Sequence, residues 1–221
     1  MNKLEFVDWG LIPYPEAYEK QKAFFETAIE KKIAHETVRN TLIFCEHPHV
    51  LTIGKHGLDA NLLFPEEVLK EQQVELFRVN RGGDVTYHGP GQLVGYPIFD
   101  LESFRIGLKE YIYRIEETII RFLAEYNIKG EHFTGATGVW IDVEHPGKAR
   151  KICAIGVKSS RYVTMHGFAL NISTDLNYFN LINPCGFKDK GVTSMEKELD
   201  RKIDMNDVKS RLLEHFEREF I

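Results

Sequence analysis

Apolar residues recur along this chain with two different periods, and the changes of period outline its elements. From Glu16 to about His35, Ala17, Phe24, Phe25, Ala28, Ile29 and Ile33 fall at helical spacing with charges between them, after Pro13 and Pro15, and predict an amphipathic helix. Leu108 to Tyr126 repeats the pattern through Tyr111, Ile115, Thr118, Ile119, Phe122 and Leu123, with Asn127 and Gly130 as stop signals. Asn206 to Phe220, with Val208, Leu212, Leu213 and Phe216 on one stripe, predicts a terminal helix, and short helices are expected at 65–71 and 177–182. Between them lie runs of β type: Thr41 to Cys45, Val50 to Ile53, Val74 to Val79, Leu93 to Phe99, a segment ending at Ile141, and Lys151 to Val157. Arg161 to Thr164 and Phe168 to Ile172 continue the pattern, with Gly167 interrupting it, and Pro97 pushes its own strand toward an edge or a bulge. Glu144-His-Pro-Gly147 reads as a hairpin turn. With no linker, repeat or low-complexity segment, residues 1–221 are expected to form a single α/β (α+β) domain, a mixed sheet with packed helices.

Composition narrows the function classes. The apolar runs fall far short of a membrane span, and no signal segment or lipidation motif opens the chain, so no membrane association and a cytoplasmic location are expected. The net charge is 28 − 33 = −5, which gives no overall electrostatic case for nucleic-acid binding. Three cysteines, Cys45, Cys153 and Cys185, make an odd count without metal-ligand spacing, which argues against a disulfide framework or a zinc site. His47, His49 and His56 have no carboxylate or cysteine at a ligand spacing beside them, and no metal is expected there.

Chemistry concentrates in Arg81-Gly-Gly-Asp-Val-Thr-Tyr-His-Gly-Pro-Gly-Gln92, where glycines permit close backbone approach and arginine, histidine and hydroxyls supply directed polar groups. This is a candidate binding loop. Cys45 and Cys153 sit inside apolar β runs and read as small core residues. Cys185, between Pro184 and Gly186, stands in a constrained turn of the kind that can leave a thiol accessible. A nucleophilic cysteine needs a partner that favours the thiolate, with His88, His166 and the basic residues Lys148, Arg150, Lys151, Lys158 and Arg161 as candidates.

The Arg81–Gln92 block, Lys151-Ile-Cys-Ala-Ile-Gly156, His166-Gly-Phe-Ala-Leu-Asn171 and Asn183-Pro-Cys-Gly186, in this order and spacing, resemble the lipoyl(octanoyl) transferase family, from about Glu46 to Gly186. The resemblance implies the fold of the biotin and lipoate protein ligases. It also implies transfer of an octanoyl group from acyl carrier protein to a lysine of lipoyl domains, those of 2-oxoacid dehydrogenase complexes and the glycine-cleavage H protein. By the family's pattern Cys185 is the nucleophile that carries the acyl group as a thioester, and Lys151 is the general acid and base. Arg81, Gly82, Gly83, Tyr87 and His88 are implied as the wall of the acyl pocket, with Ala154, Ile155 and Gly156 from the second block and His166, Gly167 and Ala169 from the third. No cofactor is implied, since the substrate arrives on the phosphopantetheine arm of its carrier. Lys148, Arg150, Lys158 and Arg161 are candidates for a basic cluster that steers an acidic carrier. The same superfamily offers two alternatives, an ATP-dependent lipoate-protein ligase and an octanoyl amidotransferase; a lipoyl-domain binding module that tolerates loss of Cys185 is a third.

Overall fold

Runs that are apolar at every position, such as Leu42-Ile-Phe-Cys45, become strands covered on both faces. The computed structural model describes residues 4–183 and 190–221. In chain order the elements are β1 (Leu4–Leu11), α1 (Tyr14–Ile33), β2 (Asn40–Glu46), β3 (Val50–Ile53), α2 (Glu66–Glu71), β4 (Glu75–Arg78), β5 (Val85–His88) and β6 (Gln92–Ile98). Then come α3 (Leu108–Ala124), β7 (Glu131–Phe133), β8 (Ala136–Ile141), β9 (Arg150–Ser160), β10 (Val163–Asn171), β11 (Gly191–Val192), α4 (Met195–Leu199) and α5 (Met205–Phe220), with 3-10 turns at Asp59–Asn61 and Leu176–Leu181. The main sheet is mixed, in the order β1-β2-β6-β10-β9-β8-β7 with β11 on β9, and β4-β3-β5 form a second, smaller sheet.

Period-two alternation assigns each central strand to two cores. Leu42, Phe44, Leu93, Phe168 and Leu170 point to one face, where α3 and α5 cover them with Ile115, Ile119, Phe122, Leu212 and Phe216. Ile43, Cys45, Val94, Tyr96, Met165 and Ala169 point to the other, under Ala17, Phe25 and Ala28 of α1. Leu51, Ile53, Val85 and Tyr87 of the small sheet pack with Leu69, Leu181 and Ile182 in a third cluster.

The structure corrects the sequence expectations in several places. Pro97 sits on a central strand, where every residue of β6 is buried. It is tolerated because the β10 ladder stops at the Phe168–Gly95 pair, and beyond that point the Thr164 hydroxyl takes over, donating to the Pro97 carbonyl at 2.8 Å and accepting from the Phe99 N–H at 3.0 Å. Gly167 does not interrupt β10 but lies in the middle of one continuous strand, paired with Gly156. A Cβ there would stand 2.1 Å from the Gly95 carbonyl, so glycine is what lets β10 approach β6. β1, β5, β7, β11 and α4 are not foreshadowed by the pattern, and β5 makes a strand of the middle of the Arg81–Gln92 loop; β1 is a half-exposed edge strand, parallel to β2, whose pattern is broken by Asp8 and Gly10. Among the described residues no helix is long and apolar enough to cross a membrane.

Candidate active site

On the α1 face, β9 and β10 pair through Ala154–Ala169 and Gly156–Gly167, a stripe of small residues that leaves the sheet bare. A cavity of about 790 Å³ lies over this floor, lined also by Tyr14, Arg81, His88, Val94, Tyr96 and His166. Along β9 the floor runs from Lys151 to Gly156, roughly 16 Å at the usual rise per strand residue. Lys151 is half-buried at one end, its Nζ donating to the Thr137 carbonyl at 3.1 Å and lying 4.6 Å from the centre of the Trp140 ring.

The glycine loop is pinned from both sides. The Gly82 N–H donates to the Val157 carbonyl at 2.9 Å, while the N–H groups of Gly54, Lys55 and His56 donate to the Asp84, Arg81 and Gly83 carbonyls. Arg81 is buried and folds back on β3, with Nη2 donating to the Thr52 carbonyl at 2.7 Å and to its hydroxyl at 2.9 Å, and Nη1 to the Gly82 carbonyl at 3.0 Å. Its guanidinium therefore braces the loop. Gly83 and Arg81 line the cavity, as do Ala154, Ile155, Gly156, His166, Gly167 and Ala169.

Two of the expected wall residues lie elsewhere. Gly82 is not among the lining residues and serves as a loop anchor on β9. Tyr87, on the face of β5 opposite to the cavity lining, is fully buried in the third cluster, stacked on Tyr178 at 5.1 Å with its hydroxyl 2.7 Å from His49 Nδ1. The alternation of β5 explains this, because His88, its neighbour, points the other way into the cavity.

His88 is held in one tautomer. The Gln92 amide nitrogen donates to the Tyr87 carbonyl at 3.1 Å and to Asn171 Oδ1 at 2.9 Å, so its oxygen faces His88 Nδ1 at 2.7 Å and the ring nitrogen donates. Its Nε2 faces the Thr52 hydroxyl at 3.5 Å. Burial, aided by the nearby His47 and Arg81, pushes the His88 pKa down to about 3. His88 is thus a neutral structural link, engaged at both nitrogens, and none of these partners is Lys151. The chain of buried polar groups continues from Asn171, whose Nδ2 donates to the Thr193 carbonyl at 2.9 Å, and the Thr193 N–H donates to the Lys151 carbonyl at 3.0 Å. Loop and lysine strand are joined through it. Gln92, Asn171, Thr193, Tyr14 and Trp140 were not singled out from sequence, although Gln92 and Asn171 close two of the motifs.

His166 takes a left-handed backbone conformation, φ +62°, and its Nε2 is buried without a hydrogen-bond partner among the described residues. Burial first, then Arg81 and Lys158, push its pKa down to about 3. Cys45 and Cys153 are fully buried, and burial raises both thiols far above the usual range, which leaves them inert as nucleophiles. Cys185 lies outside the described residues; Asn183 and Lys190, between which that stretch runs, both line the cavity.

The basic cluster does not form. Arg150 opens β9 and is held by both oxygens of Glu198, at 2.7 and 2.6 Å, and by Asp142, whereas Arg161 follows the far end of the same strand. Ten residues lie between Arg150 and Arg161, about 35 Å of extended chain. Lys158 lies over the Phe25 ring at 5.1 Å. Among the described residues no group of three potential ligands is placed to hold a metal ion.

The model of the lipoyl protein ligase A/B catalytic domain matches residues 18–217. An octanoyltransferase of Parabacteroides distasonis is 60% identical over 212 residues, covering 96% of both chains. An octanoyltransferase of Porphyromonas gingivalis is 53% identical over 219 residues, which are 99% of this chain and 44% of that longer one. Among solved structures, the fold is similar to a bipartite lipoate protein ligase of Thermoplasma acidophilum, with a TM-score of 0.73 at 14% identity over 99% of this chain and 84% of that one. It is also similar to the biotin protein ligase of Aquifex aeolicus, with a TM-score of 0.52 at 11% identity over 100% of this chain and 70% of that one.

Proposed function

The chain belongs to the lipoyl protein ligase A/B catalytic family, and from that premise we propose that it moves an octanoyl group from acyl carrier protein to lipoyl domains through a thioester on Cys185. It is an acyltransferase, and octanoyl transfer in protein lipoylation is its reaction. The observation that carries the mechanism is Lys151, its ammonium held by the Thr137 carbonyl at 3.1 Å on the edge of a cavity with an apolar, small-residue floor.

Lys151 takes the proton of the Cys185 thiol as its sulfur attacks the donor's thioester carbonyl. The bond from the carbonyl to the carrier sulfur breaks, Lys151 gives the proton to that leaving sulfur, and the acyl group rests on the enzyme. The amine of the acceptor lysine then attacks the acyl-enzyme. Lys151, deprotonated, takes the amine's proton and returns it to the cysteine sulfur as the thiolate leaves. A thioester is already activated, so the exchange needs no nucleotide and no cofactor of its own. The acyl chain, whose one polar group is its carbonyl end, runs over the small-residue Ala154–Ala169 floor. Acceptors are proteins bearing lipoyl domains, those of 2-oxoacid dehydrogenases and the H protein, and a reduced catalytic thiol suits the cytoplasm.

The test is intact-mass analysis of the protein after incubation with octanoyl-carrier protein and no ATP. One octanoyl group is expected, absent in Cys185→Ala; Lys151→Ala is expected to stay folded and lose about 10³-fold in turnover. An adduct that survives Cys185→Ala, or one that requires ATP, refutes the mechanism.

A further inference from the structure

One peptide unit stands between a lysine ammonium and a buried carboxylate. The carbonyl of Thr137 accepts from Lys151 Nζ at 3.1 Å, and the N–H of Gly138, the other half of the same peptide group, donates to Glu116 Oε1 at 2.8 Å. Glu116 reaches the site from α3 and is only 8% exposed. Its second oxygen lies 3.0 Å from His132 Nδ1 on β7, His132 Nε2 lies 2.8 Å from Glu117, and the Tyr113 ring stacks on the imidazole at 5.0 Å.

The backbone is shaped for this arrangement. Gly138 has φ +118°, a conformation that side chains rarely adopt, and a Cβ there would stand 2.5 Å from the Cys153 carbonyl and 3.4 Å from Lys151 Cε. The β8–β9 register shifts at the next step, between Val139 and Trp140, so the Gly138 N–H goes to a side chain instead of a neighbouring strand. A buried carboxylate is costly unless hydrogen-bonded, and here its partners are this N–H and His132. A negative charge at the N–H end of a peptide polarises it, making its oxygen a stronger acceptor.

We propose that Glu116 is a positioning residue for Lys151: it fixes the 137–138 peptide and strengthens that peptide's carbonyl as the acceptor that aims and charges the lysine. The idea rests on the acyl-transfer reading only for what Lys151 does next. Other charged and titratable groups among the described residues also bear on the pair. Around Glu116 these are His132 from β7, Glu117 from its own helix and the Cys153 thiol from β9, which is influenced by Glu116 and Lys151 in opposite senses. Lys190 and Lys197 line the cavity together with Lys151, and Arg150 beside it is matched by Glu198 and Asp142.

The experiment follows the reaction of Lys151 with an amine-specific acylating reagent against pH in the full-length protein, located by peptide mass analysis, for Glu116→Gln, Glu116→Ala and, as a control on the same helix, Glu110→Gln. The two Glu116 variants are expected to move the Lys151 titration down by about half a pH unit or more and the control to leave it alone. Transfer by the Glu116 variants should fall about 10-fold in kcat with the acceptor KM unchanged. Glu116→Gln keeps the shape of the side chain, so it serves if the alanine variant fails to fold. A folded Glu116→Gln whose Lys151 titration and kcat both match wild type overturns the proposal. The labelling needs no acyl donor; a shifted titration in a protein that transfers no octanoyl would refute the acyl-transfer reading and leave the role of Glu116 standing.

Discussion

The two faces of the main sheet are built from alternate residues of the same strands, yet one is filled and the other hollowed. Toward α3 and α5 the strands present Phe44, Phe168 and Leu170, and Phe216 stacks on Phe168 at 5.4 Å. Toward α1 they present Ala154, Gly156, Gly167 and Ala169, and the space left over becomes a cavity walled by Tyr14, Tyr96, His88 and His166. The filled face contributes stability and the hollow face contributes function, and separate residues on the same strand carry the two. A change on one face should therefore leave the other's property intact.

The strongest way to break this division is Phe216→Ala. Phe216 is fully buried among Phe44, Phe168 and Phe220, and its loss should cost about 3–5 kcal/mol in urea unfolding. Transfer per folded molecule should stay within a few-fold of wild type. A large fall in kcat/KM at a concentration of denaturant where the variant is still folded would show that the two faces are coupled.

Ala154→Leu tests the opposite face. Ala154 lines the cavity floor, half-exposed, so leucine can grow into open space without overpacking a core. Octanoyl transfer should fall about 10- to 100-fold while shorter chains are spared, since each methylene displaced from an apolar pocket is worth about 1–3 kcal/mol. Stability should change by less than about 1 kcal/mol. Equal losses for four-carbon and eight-carbon donors would mean that the acyl chain does not lie on this floor.

The filled face was the legible one. Helices α3 and α5 announce themselves because a buried stripe must repeat every three or four residues, and Tyr111, Ile115, Ile119 and Phe122 all do. The hollow face is defined by absent side chains, and alanine and glycine carry no period, so only the resemblance to a family pointed to Ala154, Gly156, Gly167 and Ala169. Tyr87 shows the limit of motif reading. It stands in the motif beside His88, but strand alternation sends the two to opposite sides. Edge strand β1, the short α4 and the placement of Pro97 depend on partners distant in the chain, as does the Glu116–Gly138 bond, which joins α3 to β8 across 22 residues. The supposed basic cluster failed for a related reason, since the length of β9 separates its ends, and Glu198 of α4 and Asp142 of the β8–β9 turn neutralise Arg150.

The smallest expected effect sharpens the comparison through pH. His47, His88 and His166 all stand on the hollow face, and burial lowers their pKa values to about 4, 3 and 3. An unfolded histidine takes up its proton near 6.5, so from there down to these depressed values the unfolded chain binds more protons than the folded one. Stability therefore rises with pH across that window and is lost as acid is added, by at most about 1.4 kcal/mol per pH unit for each group. His88→Asn removes one of the three, and its unfolding free energy should fall less steeply than that of wild type between about pH 6 and pH 4.5, by roughly 1 kcal/mol per unit. Phe216→Ala, on the face without buried histidines, should lower the whole curve by a constant amount. Parallel curves for His88→Asn and wild type would mean that His88 takes up its proton alike in the folded and unfolded chains, and the acid sensitivity would have to come from His47, His166 and the carboxylates instead.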